Sequence, residues 1–403
     1  MAKIHKDWAL LPNRGLVSGM KKQHLTQKRL AVFLDGTWNE PGDNTNVWRL
    51  RSLLSPVATD ETTQLQYYDP GPSGFKGGTF GQGVSKNVVQ AYEWLIDNYN
   101  DGDDIFIFGF SRGAYTARSL AGFITKYGLL KPGAPLSVPQ MFKRYQTADK
   151  KTIWRLNSEV TSGSCGDHSD FERWMIKYAR CINIKMVGVW DTVGALGIPK
   201  LNIPGISRST FGWHHTGLRI PIEHGFHAIA IDEHRPPFRP TLWTVRKGIK
   251  AEPRELKSVE QRWFAGAHAN VGGGYINDLL GQPPLRWMAN KAEELGLEFR
   301  YDISIDGNIH EAAITDSYKS FIRGLYSIFG KRHHRVLGSE PWEDETGNTH
   351  STVNETIDIS IFERWQNDST YRPPSLTEWA KRTQLDLSNI RTSVLAEDGS
   401  PIE

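Results

Sequence analysis

The chain has 403 residues, enough to bury a large core in one elaborated domain or in two. Its 48 Lys and Arg against 45 Asp and Glu leave a balance of +3, which excludes a nucleic-acid binder driven by charge. Two cysteines, Cys165 and Cys181, supply neither a disulfide framework nor a zinc pattern, and no apolar run is long enough for a transmembrane helix.

Residues 1–28 read as a basic, polar arm without the apolar centre of a secretory signal, so the chain is expected to be cytoplasmic as synthesised. Residues 30–34 then have the pattern of a buried strand, with Asp35-Gly36-Thr37 as the turn after it. An aspartate there commonly only caps a turn. A dehalogenase-type phosphatase reading of this turn fails, because Phe33 stands where the nucleophilic aspartate is needed. Residues 71–83 (GPSGFKGGTFGQG) are rich in glycine, and Gly78 and Gly83 have P-loop spacing, but Val84 replaces the lysine. A mobile loop is expected there instead.

The strongest local signal lies at residues 104–123. A short apolar run, Ile105 to Phe108, leads into Gly109-Phe110-Ser111-Arg112-Gly113 and then a helix-compatible segment from Ala114 to Phe123. Strand, G-x-S-x-G and helix make a nucleophile elbow, in which a sharp turn projects the serine hydroxyl from the sheet edge. The bland alternative is an ordinary Gly-Ser turn with Ser111 as helix cap. In an elbow, the main-chain N–H of Arg112 faces the developing oxyanion, and a turn after an early strand supplies a second donor, here Gly36 or Thr37.

A serine nucleophile needs a histidine base and an orienting acid, in the chain order Ser, acid, His. Residues 183–190 run as an apolar strand into Asp191, and residues 226–231 into Asp232. Residues 262–267 end at His268, followed by Ala269-Asn270-Val271-Gly272-Gly273-Gly274-Tyr275, a run that calls for close backbone approach. His268 is therefore the candidate base; pairs such as His214-His215 and His333-His334 sit in polar or basic surroundings. Spacing does not separate the two acids. The cleaner strand favours Asp191, while Asp232-Glu233-His234-Arg235 reads as a solvated or salt-bridged loop.

The whole is read as an α/β-hydrolase-like fold, a mostly parallel central sheet flanked by helices. Its core is placed at residues 29–297, with cap insertions near 131–173 and 199–221 that would shape a pocket. A mostly helical extension, 298–403, packs on it. In that extension Tyr318, Phe321, Ile322, Leu325 and Phe329 have helix-face spacing. With Lys319, Arg323, Lys331 and Arg332 this is either a core-facing stripe or an interfacial membrane helix reaching to Arg335. Beyond Arg382 the tail turns polar and is expected to fray.

Taken together, FLDGTWN at 33–39, GFSRGAY at 109–115, GVWDTVG at 188–194 and the glycine-rich run at 266–275 resemble, in the same order, one known family. It is the bacterial and fungal α/β-hydrolase family that includes the first class of type VI secretion lipase effectors. Further similarity lies at 227–240 and 354–374, so the resemblance covers roughly residues 28–378. It implies a phospholipase or related carboxylic-ester hydrolase working through an acyl-enzyme, with Ser111, Asp191 and His268 as the triad and with no metal or cofactor. It also implies a lipid or ester substrate, peripheral membrane contact, export by a non-classical secretion system, and a secretion-machinery or immunity partner. Asn270 departs from the family's more usual aspartate. Two other readings remain: an esterase of the same fold acting on soluble esters, and a non-catalytic partner-binding α/β domain, against which the ordered serine, acid and histidine argue.

Overall fold

Strand segments with apolar residues at nearly every position belong in a sheet covered on both faces. The computed structural model describes residues 27–36, 44–71, 80–146, 151–163, 167–193, 221–246, 254–275, 278–317, 332–338, 342–343 and 349–402. Its central sheet has eight strands: β1 Lys28–Leu34, β2 Thr63–Asp69, β3 Asp104–Phe110, β4 Ile184–Trp190, β5 Ile222–Ala230, β6 Val259–Phe264, β7 Glu355–Ile357 and β8 Val394–Leu395. They lie in the order β2-β1-β3-β4-β5-β6-β7-β8. All neighbours are parallel except β7 and β8. The expected mostly parallel α/β sheet is thus present.

Alternation along the strands sorts the core into two layers. Leu30, Val32, Leu34, Ile105, Ile107, Val187 and Val189 face one cluster, which holds helices α2 (Phe80–Asn98) and α3 (Arg112–Tyr127) after α1 (Asn46–Leu53) in the chain. Ala31, Phe33, Phe106, Phe108, Met186 and Trp190 face the other, with α1 beneath them. The insertion at 131–173 supplies α4 (Val138–Gln146), α5 (Ile153–Thr161) and the start of α6 (Asp170–Tyr178). These extend the α2–α3 layer: the rings of Phe142 and Tyr145 pack on Phe123, and Gln146 Nε2 donates to Ser85 Oγ.

The chain runs from β1 outward to β2, then returns past β1 to β3. Crossovers in opposite directions leave a crevice at the carboxyl ends of β1 and β3, where ligands bind in open α/β sheets. Ser111 follows β3 and Asp35 follows β1, so both stand at this crevice. The next helices, α7 (His268–Gly272) and α8 (Gln282–Glu293), follow β6; α8 covers the second face through Leu285, Met288 and Ala292.

One expectation is corrected here. The tail does not fray: β8 pairs antiparallel with β7, Val394 and Ala396 are buried, and Trp379 Nε1 donates to Ala396 O at 2.7 Å. A two-residue edge strand is too short for periodicity to reveal. The segment after Leu297 contributes β7 and β8 to the sheet beside α9 (Ile359–Asn367) and α10 (Pro374–Thr383), which bury Ile361, Phe362, Leu376 and Trp379 against Trp263 and Ile357. In the glycine-rich loop, Phe80 to Gly83 already belong to α2, while residues 72–79 lie outside the described residues. So do the arm 1–26, most of the 199–221 cap and the aromatic stripe at 318–331.

Candidate active site

The elbow is built from close packing. Ser111 has φ 56° and ψ −118°, a conformation that ordinary side chains avoid. A Cβ on Gly109 would lie 2.5 Å from Gly113 O, and one on Gly113 would lie 2.0 Å from Leu34 O. Any other residue at either position would drive the turn off β1 or the helix off the strand. Ser111 N donates to Trp190 O at 3.0 Å, which ties the elbow to the end of the next strand.

Three polar side chains from separate strand ends meet there. His268 Nε2 lies 2.8 Å from Ser111 Oγ, and His268 Nδ1 lies 2.6 Å from Asp191 Oδ2. The carboxylate makes Nδ1 the protonated nitrogen and leaves Nε2 to accept from the serine hydroxyl. Asp191 and His268 are both buried. The imidazole is walled on two sides, by the Phe110 ring at 4.8 Å and the Phe238 ring at 5.1 Å. Asp191 has φ 37°, and its turn is fixed from behind: Asp191 N donates to Ala228 O, and Thr192 N to His227 Nε2 at 3.1 Å. Burial, with the Arg118 cation adding to it, pushes the His227 imidazole down to about 3, so it stays neutral and accepts.

The rest of the predicted set is placed less simply. Arg112 is the first residue of α3, next to Ser111, where main-chain N–H groups carry the helix's partial positive charge. Burial pushes its guanidinium down to about 10. The Gly36 N–H donates to Asp35 Oδ1 at 2.7 Å. Asp35 is buried and also accepts from Thr45 Oγ1 at 2.5 Å and Tyr68 OH at 3.1 Å. Thr37 lies outside the described residues. Asn270 donates from Nδ2 to Asp278 Oδ2 at 3.0 Å and accepts from Ala267 N at 3.0 Å. An aspartate there would face the Asp278 carboxylate, so the amide suits this neighbour.

Of the two readings of the charged loop at Asp232, solvated or salt-bridged, the structure shows the second for Glu233 and Arg235. Asp232 is not solvated: it is buried, accepts from Gly266 N at 2.8 Å and from Tyr371 OH at 3.1 Å, and makes no bond to His268 among the described residues. Burial pushes it up to about 6. Glu233 is buried too, gripping Arg235 and accepting from His268 N at 3.3 Å.

Sequence reasoning missed one residue altogether. Arg335, at the end of the segment read as either a core-facing stripe or a membrane-surface helix, is buried and pairs with Asp191 through both terminal nitrogens, at 2.6 and 3.0 Å. Among the described residues no group of three or more potential ligands could hold a metal, and no helix is long and apolar enough to cross a membrane.

A serine set on a strained strand-to-helix turn at the switch point of a mostly parallel sheet, with histidine and acid from later strand ends, is the arrangement of the α/β-hydrolases. Within that class the chain belongs to the family described as T6SS, phospholipase effector Tle1-like, catalytic domain, whose model matches residues 28–291. It is 27% identical over 242 residues to an uncharacterized protein of Saccharomyces cerevisiae, covering 54% of this chain and 33% of that one. Among solved structures it is similar to an uncharacterized protein from Pseudomonas aeruginosa, with 17% identity, a TM-score of 0.44, and coverage of 68% of this chain and 46% of that one. It is also similar to the Tle1 effector bound to the VgrG spike of a type 6 secretion system, with 20% identity, a TM-score of 0.32, and coverage of 68% and 55%. The chain thus spans about a third to about half the length of these relatives.

Proposed function

We propose that this chain is a serine carboxylic-ester hydrolase of the phospholipase type. Membership of a phospholipase effector family supports lipase-type hydrolysis. The observation that carries the serine mechanism is the 2.8 Å contact between Ser111 Oγ and His268 Nε2, continued by the 2.6 Å contact to Asp191. Ser111 attacks the ester carbonyl while His268 takes its proton and then delivers it to the leaving alcohol. Asp191 keeps the proton-bearing nitrogen on its side and stabilises the imidazolium. The Arg112 N–H is one oxyanion donor, and the Gly36–Thr37 turn, anchored by Asp35, supplies the other. Water, activated by the same histidine, then cleaves the acyl-enzyme.

The substrate in this reading is a lipid ester reached by peripheral contact with a membrane. The family's description as a secretion-system effector supports a component of the secretion machinery as partner; an immunity protein is the alternative partner in this reading.

The test uses wild type and Ser111→Ala. Fatty acid released from phospholipid vesicles is measured beside hydrolysis of a soluble butyrate ester, with fluorophosphonate labelling mapped by peptide analysis. Wild type should hydrolyse the vesicles and be labelled at Ser111, and the variant should do neither. Turnover confined to the soluble ester, without vesicle binding, identifies a small-ester esterase. A folded chain with no turnover and no labelling identifies a binding domain, and an active Ser111→Ala overturns the serine assignment.

A further inference from the structure

Asp191 and Asp232 follow adjacent strands and are both buried, yet their surroundings differ in kind. Asp232 meets a main-chain N–H and a phenol. Asp191 meets a guanidinium. Arg335 Nη1 donates to Asp191 Oδ1 at 2.6 Å and to Ala230 O at 2.5 Å, and Nη2 donates to Asp191 Oδ2 at 3.0 Å and to Phe238 O at 2.5 Å. Ala230 N adds a bond to Oδ1 at 3.1 Å, and His268 Nδ1 meets Oδ2. Four donors therefore fix the carboxylate plane, and a planar fork is the cation best able to do so. The same guanidinium holds the peptide of Phe238, whose ring is one wall of the imidazole.

We propose that Arg335 is a positioning residue of this site: its fork fixes both oxygens of Asp191 and the Phe238 peptide, and thereby sets the tautomer, direction and packing of the His268 imidazole. Resting as it does on the reading of Ser111, His268 and Asp191 as the reacting set, it adds a residue that touches no substrate. Burying Arg335 beside Asp191 also compensates a cost that neither charge could bear alone.

The experiment compares full-length wild type, Arg335→Met and Arg335→Lys by thermal unfolding and by kcat and KM on a soluble ester from pH 5 to 9. Arg335→Met should lose about 100-fold in kcat with KM little changed, as expected of a misplaced reacting group. Arg335→Lys keeps the charge and loses the fork, so its kcat should fall too, by less than in Arg335→Met, again with KM little changed. A folded Arg335→Met with wild-type kcat, or one that loses only KM, overturns the proposal. If that variant does not fold, Arg335→Lys decides: an unchanged kcat overturns it. Ser111→Ala is run alongside. Full activity there defeats the underlying serine reading, whereas an inactive Ser111→Ala means that the Arg335 variants bear on Arg335 alone.

Discussion

Gly272 rests directly on the ring of Phe110: a Cβ added to it would lie 1.9 Å from Phe110 Cε2. The last residue of α7 and the last of β3 thus set each other's position, and the Phe110 ring in turn packs on His268. Gly272→Ala should push that ring toward the imidazole. Overpacking of this kind costs about 1–3 kcal/mol, and displacing the base should lower kcat at least about tenfold. Thermal unfolding and ester turnover measured together check it; a variant with wild-type values of both would show that the ring has room to move.

The two acids should separate cleanly in kinetics. Asp191→Asn turns an amide toward His268 and favours the wrong tautomer, which should cost about 10⁴ in kcat. It also leaves the Arg335 fork without its anion, so some stability should go with it. Asp232→Asn should stay within about tenfold of wild type, because Asp232 bonds Gly266 and Tyr371 rather than the imidazole. A larger kinetic loss at Asp232 than at Asp191 would transfer the orienting role to the later strand.

What could be read in the chain was what is local. The elbow is legible because a strand, a glycine-flanked serine and a helix are contiguous, and in the run after His268 Gly272 records a tight approach to Phe110 and Gly273 one to the Thr45–Asn46 backbone. Apolar runs marked β3, β4 and β5 because a parallel sheet buries both faces. Arg335 was illegible because its partner lies 144 residues away and its own neighbourhood is basic and polar. The charged run at Asp232 was legible as a salt-bridged loop, but its burial was not, for a related reason. Tyr371 and Gly266, which cover it, come from distant segments, and Glu233 and Arg235 neutralise each other inside the protein. The Gly36 donor was legible as a turn, but that its N–H would be taken by the preceding carboxylate was not.

Asp35 anchors that turn by accepting from Gly36 N, Thr45 Oγ1 and Tyr68 OH. Asp35→Ala leaves these donors without their acceptor, and should cost about 2–4 kcal/mol. The elbow packs on the same turn, since Gly113 sits against Leu34 O and Asp35 O. A fall in kcat of about tenfold or more should therefore accompany the loss of stability. Chemical denaturation beside ester turnover is the measurement. Unchanged stability would mean that water or a neighbour replaces the carboxylate, and unchanged turnover would detach the turn from the chemistry.

Asp232 also makes a prediction about pH. Burial pushes its carboxyl from the ordinary aspartate range up to about 6 in the folded protein, with the bonds from Gly266 and Tyr371 offsetting only part of the effect. A folded-state value above the unfolded one means that the native protein holds the proton more tightly. The contribution to stability is therefore complete below about pH 4 and is lost as pH rises through about 6. Asp232→Asn keeps an oxygen for both donors and carries no charge to desolvate. Relative to wild type it should gain stability progressively between about pH 4 and 6, reaching about 3 kcal/mol by neutral pH and levelling there. Unfolding free energies of the two proteins compared at pH 4.5, 6 and 8 test this. A difference that is flat across the series, or that shrinks as pH rises, would mean that Asp232 is already well compensated as an anion.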